Sequence, residues 1–146
     1  MTPSNLNELV KLRPANENDV GFIFNSWLKS FRKSNFAKNI DNTIYYENHH
    51  KLIEKLVKSN PVIVACDSKD ETQLFGYICA SNSSGILVIH YAYVKHSFRN
   101  MGVCKLLLSS FNHSKDVASI YTHHTNASEK LSSKFNSVYH PYLLKD

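Results

Sequence analysis

The sequence predicts an α/β domain spanning residues 1–146, and three observations carry that prediction. Strand-like and helix-like runs follow one another along the whole chain. Two long apolar runs, "QLFGYICAS" and "GILVIHYAYVK", flank the turn signal "NSSG". The second of them passes through a short basic loop straight into the helical pattern "VCKLLLSSF". Hydrophobic residues make up 42% and charged residues 20%, the balance of a globular chain with a core to bury.

"ELVKLRPA" (Glu8 to Ala15) alternates polar and apolar residues and stops at Pro14, so it is expected as the first strand. In "NENDVGFIFNSWLKSF", Val20, Ile23, Phe24, Trp27, Leu28 and Phe31 recur at helical spacing and define one apolar face. Asn16 is the expected N-cap, with Asp19 in the first turn to suit the helix dipole. A basic connector, "RKSNFAKN", leads to a second helix from about Asn42 to Ser59. Its expected inward residues are Ile44, Tyr45, Leu52, Leu56 and Val57, and Pro61 ends it. "PVIVACD" is a buried strand and "SKDET" a turn before the hairpin. After the hairpin come a helix over Val103 to Asn112 and the strand "ASIYTHH". "NASEKLSSKF" has the pattern of a short helix, with Asn126 as N-cap and Glu129 at the capping-box position. "SVYHPYLL" closes the chain as a strand interrupted by Pro141.

Several function classes are disfavoured at this level. No tandem repeat or low-complexity block is present, and no apolar run is long enough to span a membrane. The N-terminus lacks the pattern of a secretory signal, and Cys66, Cys79 and Cys104 lack CxxC spacing. Both features point to a reducing, cytoplasmic setting. Two histidine pairs, His49–His50 and His123–His124, belong to neither an HExxH nor a Cys/His ligand pattern, so no metal is expected. The net charge of +5 favours an anionic partner, either a phosphorylated cofactor or a nucleic acid.

The informative stretch is "YVKHSFRNMGVCKLLL". A helix N-terminus presents unpaired N–H groups and a partial positive charge. A tight loop in front of it can converge those donors on a phosphate. Gly102 permits a backbone angle that other residues resist, Arg99 adds a cation, and the small Val103 and Cys104 keep the approach clear. The stretch is therefore either a pyrophosphate cradle or a plain helix start with a surface arginine. Cys104 adds its own alternative: a thiol at a helix start is a nucleophile if its pKa falls, and a packing group otherwise.

R-x-x-G-x-(G/A), placed after a strand ending in Val94 and before a Leu-rich helix, resembles the acetyl-CoA-binding motif of the GNAT acetyltransferase superfamily. Arg99, Gly102 and "KLLL" fall in register, while Cys104 departs from the family's Gly or Ala. The order of elements is similar across nearly the whole chain, and "LRPANENDV" looks like the family's opening. "FIFNSWLKS" and "YHPYLL" resemble wording in small GNAT-like proteins encoded by bacteriophages.

The resemblance implies a GNAT-like mixed, mainly antiparallel sheet flanked by helices, with two central strands splayed apart. It implies acetyl-CoA as co-substrate, its pantetheine arm on the backbone of Tyr93 and Val94. The pyrophosphate would lie on the amides of Arg99, Asn100, Met101, Gly102, Val103 and Cys104, with Asn126 near the pantetheine. An amine acceptor, carried by a small molecule, peptide or protein, would enter under the first two helices and attack the thioester directly. His90 stands four residues before Val94, where many relatives hold a glutamate base. The family's tyrosine acid is missing near Ser132 and Ser133, which leaves Tyr139 and Tyr142 as candidates. Lys29, Arg32, Lys33 and Lys38 flank the expected acceptor entrance, as a solvated face or as a selector of anionic acceptors. Two further readings stay open, a Mom-like modifier of nucleic-acid bases and a CoA-binding protein without catalysis. A homodimer is left open, and no membrane contact is expected.

Overall fold

The computed structural model describes residues 8–83, 85–99, 101–111, 119–125 and 137–145. Strand β1 (Val10–Pro14) leads through a 3-10 turn (Glu17–Asp19) into α1 (Val20–Arg32) and α2 (Asn42–Ser59). Strands β2 (Val62–Asp67), β3 (Leu74–Ser83) and β4 (Ile86–Val94) follow, then helix α3 (Val103–Ser109) and the short strands β5 (Ser119–Tyr121) and β6 (Ser137–Tyr139). The six strands form one open sheet in sequence order. Neighbours from β1 to β4 are antiparallel, while β4–β5 and β5–β6 are parallel. The expected helix "NASEKLSSKF" and Asn112 lie outside the described residues. After β6 the chain turns into a 3-10 segment at Pro141 instead of continuing as strand, because proline cannot donate to a ladder.

The period of two along each strand separates two cores. Val64, Cys66, Tyr77, Cys79 and Tyr91 face α1 and α2, where Ile23, Trp27, Leu28, Phe31, Tyr45, Ile53 and Leu56 meet them. Ala65, Ile78, Ala80 and Leu87 face the opposite way, against Val103, Leu107 and Leu108 of α3. Two residues expected on apolar helix faces are exposed instead. Val20 sits at the start of α1 and Ile44 in the first turn of α2, each beyond the reach of the sheet. Ile53 and His49 are buried on α2 and were not expected there.

Asn16 caps the 3-10 turn rather than α1 itself, in a capping box with Asp19. Asp19 does more than suit the dipole. Its carboxylate accepts two hydrogen bonds from Arg13, at 2.7 and 3.0 Å, and one from the Asn16 N–H at 2.8 Å. Burial pushes its pKa up, but the Arg13 and Asn16 hydrogen bonds outweigh it and hold the carboxyl below its usual range. This pair fastens the end of β1 to the start of α1 and so fixes the helix layer over the sheet.

On the other side of the sheet centre, β3 and β4 approach closely. A methyl group at Gly76 would lie 2.3 Å from the Tyr93 carbonyl oxygen and 3.0 Å from Val94 Cα. Gly76→Ala is therefore expected to lower stability by about 1–3 kcal/mol, read as a lower urea midpoint at unchanged slope. An unchanged midpoint would show that the two strands part there at no cost.

Candidate active site at a strand parting

β4 runs parallel to β5 over three registered pairs, Leu87 with Ser119, Val88 with Ile120 and Ile89 with Tyr121. The Thr122 N–H closes the last rung on the Ile89 carbonyl at 3.0 Å. Beyond it β4 continues to Val94 paired with β3 alone, among the described residues. The two central strands thus part at His90. The Lys95 N–H donates to Phe75 O at 2.8 Å, which sets the phase of the antiparallel ladder. By that alternation the backbone groups of Tyr93 face β3, whereas those of Val94 and Ala92 face the gap. The backbone groups of β4 that point away from β3 are therefore those of Ala92 and Val94, not those of the expected pair Tyr93 and Val94. The Val94 carbonyl accepts from Arg99 Nε at 3.0 Å.

The loop after β4 makes a 3-10 turn (His96–Phe98) and reaches Gly102 at φ +88°, the left-handed region that favours glycine. The Gly102 carbonyl accepts the first α3 hydrogen bond from Leu106 N at 3.0 Å. Arg99 and Met101 are exposed, and Val103 is buried in the α3 core. Asn100 and Asn126 lie outside the described residues. Burial pushes the Cys104 thiol up to about 11, so it stays protonated at neutral pH. This removes the nucleophile alternative and leaves a small packing group.

His90 differs from its expected state. It is buried, its Nδ1 lies 3.1 Å from Thr122 Oγ1, and burial pulls its pKa down to about 4. The expectation of an imidazole titrating near ~6.5 gives way because burial disfavours the charged imidazolium. Thr122 Oγ1 also lies 3.2 Å from His123 Nδ1, and His123 Nε2 lies 3.0 Å from His49 Nε2. Four side chains from β4, the end of β5 and α2 thus form one continuous hydrogen-bonded chain. Burial lowers His49 to about 4 and His123 well below its ordinary value.

The sequence offers His49 and His123 only as members of histidine pairs without a metal pattern, and it does not single out Thr122. The signal was present for His49, which falls in helical register with Tyr45, Leu52 and Leu56 on the apolar face of α2. The contact with His123 joins residues 74 positions apart and has no local signature.

His49, Thr122 and His123 form one wall of a pocket of about 240 Å³ beneath α2 and the α1–α2 connector. Its other walls are largely carbon, from Phe31, Phe36, Ile40, Ile44 and Leu52. Tyr139 lies on its rim, stacked on Tyr121 at 5.4 Å, and burial raises its pKa. Tyr142 is 67% exposed and is not part of the lining. Of the basic cluster, Arg32 is already engaged. It donates to the Ala37 carbonyl, to Ile40 O at 2.7 Å and to Asn42 Oδ1 at 2.6 Å, and so shapes the connector that roofs the pocket. Lys29, Lys33 and Lys38 are exposed. No cluster of three metal-ligating side chains occurs among the described residues, and no helix among them is long and apolar enough to cross a membrane.

No family model matches the chain, and no curated protein matches its sequence. Solved structures do match its fold. A ribosomal-protein-alanine N-acetyltransferase from Brucella melitensis superposes with a TM-score of 0.53 at 17% identity, over 84% of this chain and 79% of that one. A GNAT family acetyltransferase from Brucella melitensis, solved in complex with acetyl-CoA, gives 0.52 at 13% identity, over 84% and 80%. YjaB from Escherichia coli, in its apo form, gives 0.55 at 13% identity, over 86% and 77%. The architecture is that of the GNAT acetyltransferases, as the motif and element order implied.

The buried histidines predict an acid weakness. Each has a folded pKa below its unfolded value, so the unfolded chain binds the extra protons first. Stability is full above pH ~6.5 and falls as the pH drops from there towards 4, by on the order of 2–3 kcal/mol for each of His49 and His90. Urea midpoints measured across that window test this, with His49→Phe expected to flatten the slope. A wild-type midpoint that holds constant from pH 7 to 4.5 would contradict the burial of neutral imidazoles.

Proposed function

We propose that the protein is an acetyl-CoA-dependent N-acetyltransferase, moving an acetyl group to a primary amine by direct attack within a ternary complex. The observation that carries this reading is the parting of β4 from β5, which leaves the backbone of Ala92 and Val94 unpaired with any strand among the described residues, the Val94 carbonyl bonded instead to Arg99, beside a glycine-capped helix. An extended amide-bearing chain such as pantetheine fits an unpaired strand edge, because it can take up the hydrogen bonds that a further strand would make. The amides of residues 99–104, Asn100 and Met101 among them, and the Arg99 guanidinium are assigned to the pyrophosphate. Asn126 is assigned to the pantetheine. The positive net charge favours such an anionic ligand.

The pocket under α1 and α2 is assigned to the acceptor. Its carbon lining suits an amine on an apolar body better than a nucleobase or a polyanion. Holding amine and thioester together supplies much of the rate. A backbone N–H on the β4 edge polarises the thioester carbonyl. His90 stands where the strands part and is neutral above pH 5, so it is available to take the amine's proton. Tyr139, which lines the pocket, is assigned to protonating the leaving thiolate, and Tyr142, on the outer surface, is the weaker candidate for that step.

Two variants test the reading by calorimetry and turnover. Gly102→Glu is expected to abolish acetyl-CoA binding, since it strains a left-handed position and sets a carboxylate against a pyrophosphate. Binding as tight as wild type would refute the cradle. His90→Gln is expected to keep acetyl-CoA binding and to lower turnover roughly 10²-fold. The acid limb of the wild-type rate profile is expected near 4 rather than 6.5, and a limb that persists unchanged in His90→Gln would assign the proton to another group.

A further inference from the structure

The chain His90–Thr122–His123–His49 is longer than a single base requires. His90 needs one partner to fix its tautomer, yet the connection runs on through Thr122 and His123 to a helix on the far side of the pocket wall. Each link is within hydrogen-bonding distance, 3.1, 3.2 and 3.0 Å in order. The Thr122 hydroxyl can also donate to the His90 carbonyl at 3.4 Å, but the three rings and the hydroxyl can all donate and accept, and a continuous chain through them runs in one of two directions. In one, His90 Nδ1–H donates to Thr122, the Thr122 hydroxyl to His123 Nδ1, and His123 Nε2–H to His49 Nε2. In the other, every donor and acceptor is exchanged.

Resting on the acetyltransferase reading, we propose that this chain is a proton relay that carries the acceptor amine's proton from the strand parting to the pocket. In the first ordering His90 Nε2 holds a lone pair and His49 Nδ1 holds a proton. When the amine nitrogen bonds to the thioester carbon, its proton passes to His90 Nε2. His90 Nδ1–H moves to Thr122 Oγ1, the Thr122 proton to His123 Nδ1, and the His123 Nε2 proton to His49 Nε2. His49 Nδ1 releases its proton to water in the part of the pocket that the acceptor leaves open. One proton enters and one leaves, and the chain ends in the second ordering with all four side chains neutral. Proton exchange with solvent at the two ends restores the first.

The surroundings favour such a neutral relay over a charged base. His123 is packed edge-on against Trp27 at 5.2 Å, Phe31 at 4.6 Å and Tyr91 at 5.6 Å. His49 is stacked between Phe31 at 4.9 Å and Tyr45 at 5.2 Å. Among the described residues no carboxylate lines the pocket to stabilise an imidazolium. Burial holds all three imidazoles in the neutral form that the relay needs. His90 is the catalytic residue in this scheme, and Thr122, His123 and His49 act through it.

The test uses the full chain with acetyl-CoA and phenethylamine, and acetyl-CoA hydrolysis with water as acceptor. Thr122→Val keeps the branched shape and removes the hydroxyl, whereas Thr122→Ser keeps the hydroxyl. The expected result is a kcat about 10²-fold lower in Thr122→Val, with the KM for acetyl-CoA unchanged and activity restored in Thr122→Ser. His49→Phe, which fits the same aromatic stack, cuts the far end and is expected to lower kcat likewise, which keeps the test decisive if Thr122→Val does not fold. Wild-type rates in either chain-breaking variant, or a serine variant as slow as the valine one, would overturn the relay. Wild-type protein that fails to bind acetyl-CoA in calorimetry would instead overturn the acetyltransferase reading and the relay with it.

Discussion

The structure depends on one short pairing, the three rungs that join β4 to β5. Parallel strands need a long crossover, and here α3 and its flanking segments supply it. Because β5 is only three residues long, β4 outruns it and, among the described residues, presents an edge that no strand pairs. The other flank of β4 is held firmly. It pairs with β3 along its whole length, through a register shift at Cys79–Ala80 and a close approach at Gly76. An edge that is rigid on one side and open on the other is what a strand-like ligand requires. A longer β5 would pair with the rest of β4 and remove the proposed site.

The same parting accounts for a polar chain inside an aromatic core. Thr122 leaves β5 just past the last rung, so its hydroxyl reaches back to His90 while the next residue turns into the helix layer. His123 then enters among Trp27, Phe31 and Tyr91, where an unpaired polar atom would cost about 1–3 kcal/mol. His49 supplies the missing partner from α2. Two hydroxyl contacts in this layer are made in the same manner, although the Trp27 indole N–H has no partner among the described residues. Ser30 Oγ meets the Tyr91 hydroxyl at 2.5 Å, and the Tyr45 hydroxyl donates to Leu28 O at 2.6 Å. Neutral partners placed this close stiffen the layer without adding charge.

Local chemistry was legible in the sequence wherever one element decides it. Gly102 was readable as a left-handed cap from its place between a loop and a leucine run, and the bounds of α2 were readable from Asn42 to Ser59. Asp19 was visible as a helix-start acid, but its bond to Arg13 depends on how β1 ends over α1. Arg32 looked like one member of a surface cluster, and only the path of the connector shows it bound to carbonyls. His49 and His123 each stand in a histidine pair whose pattern carries no weight alone. Their meeting is a tertiary event, written in the crossing of α2 over the end of β5.

Under the proposed reaction, burial bears on why an imidazole rather than a carboxylate would serve as base at residue 90. A carboxylate enclosed there would have its pKa raised, and so would tend to hold a proton and be spent as a base. An imidazole responds in the opposite sense. Burial drives it towards the neutral form, which is the basic form, so it is available across the whole neutral range. The cost is basicity, because an imidazole with a pKa near 4 holds a captured proton weakly. A weak base is useful only if the proton moves on at once. Thr122 at 3.1 Å is the first group that can receive it, and beyond Thr122 the hydrogen-bonded path continues without a gap to His49. Low basicity at His90 and an outlet from it are therefore two parts of one arrangement, both set by the point at which β4 leaves β5.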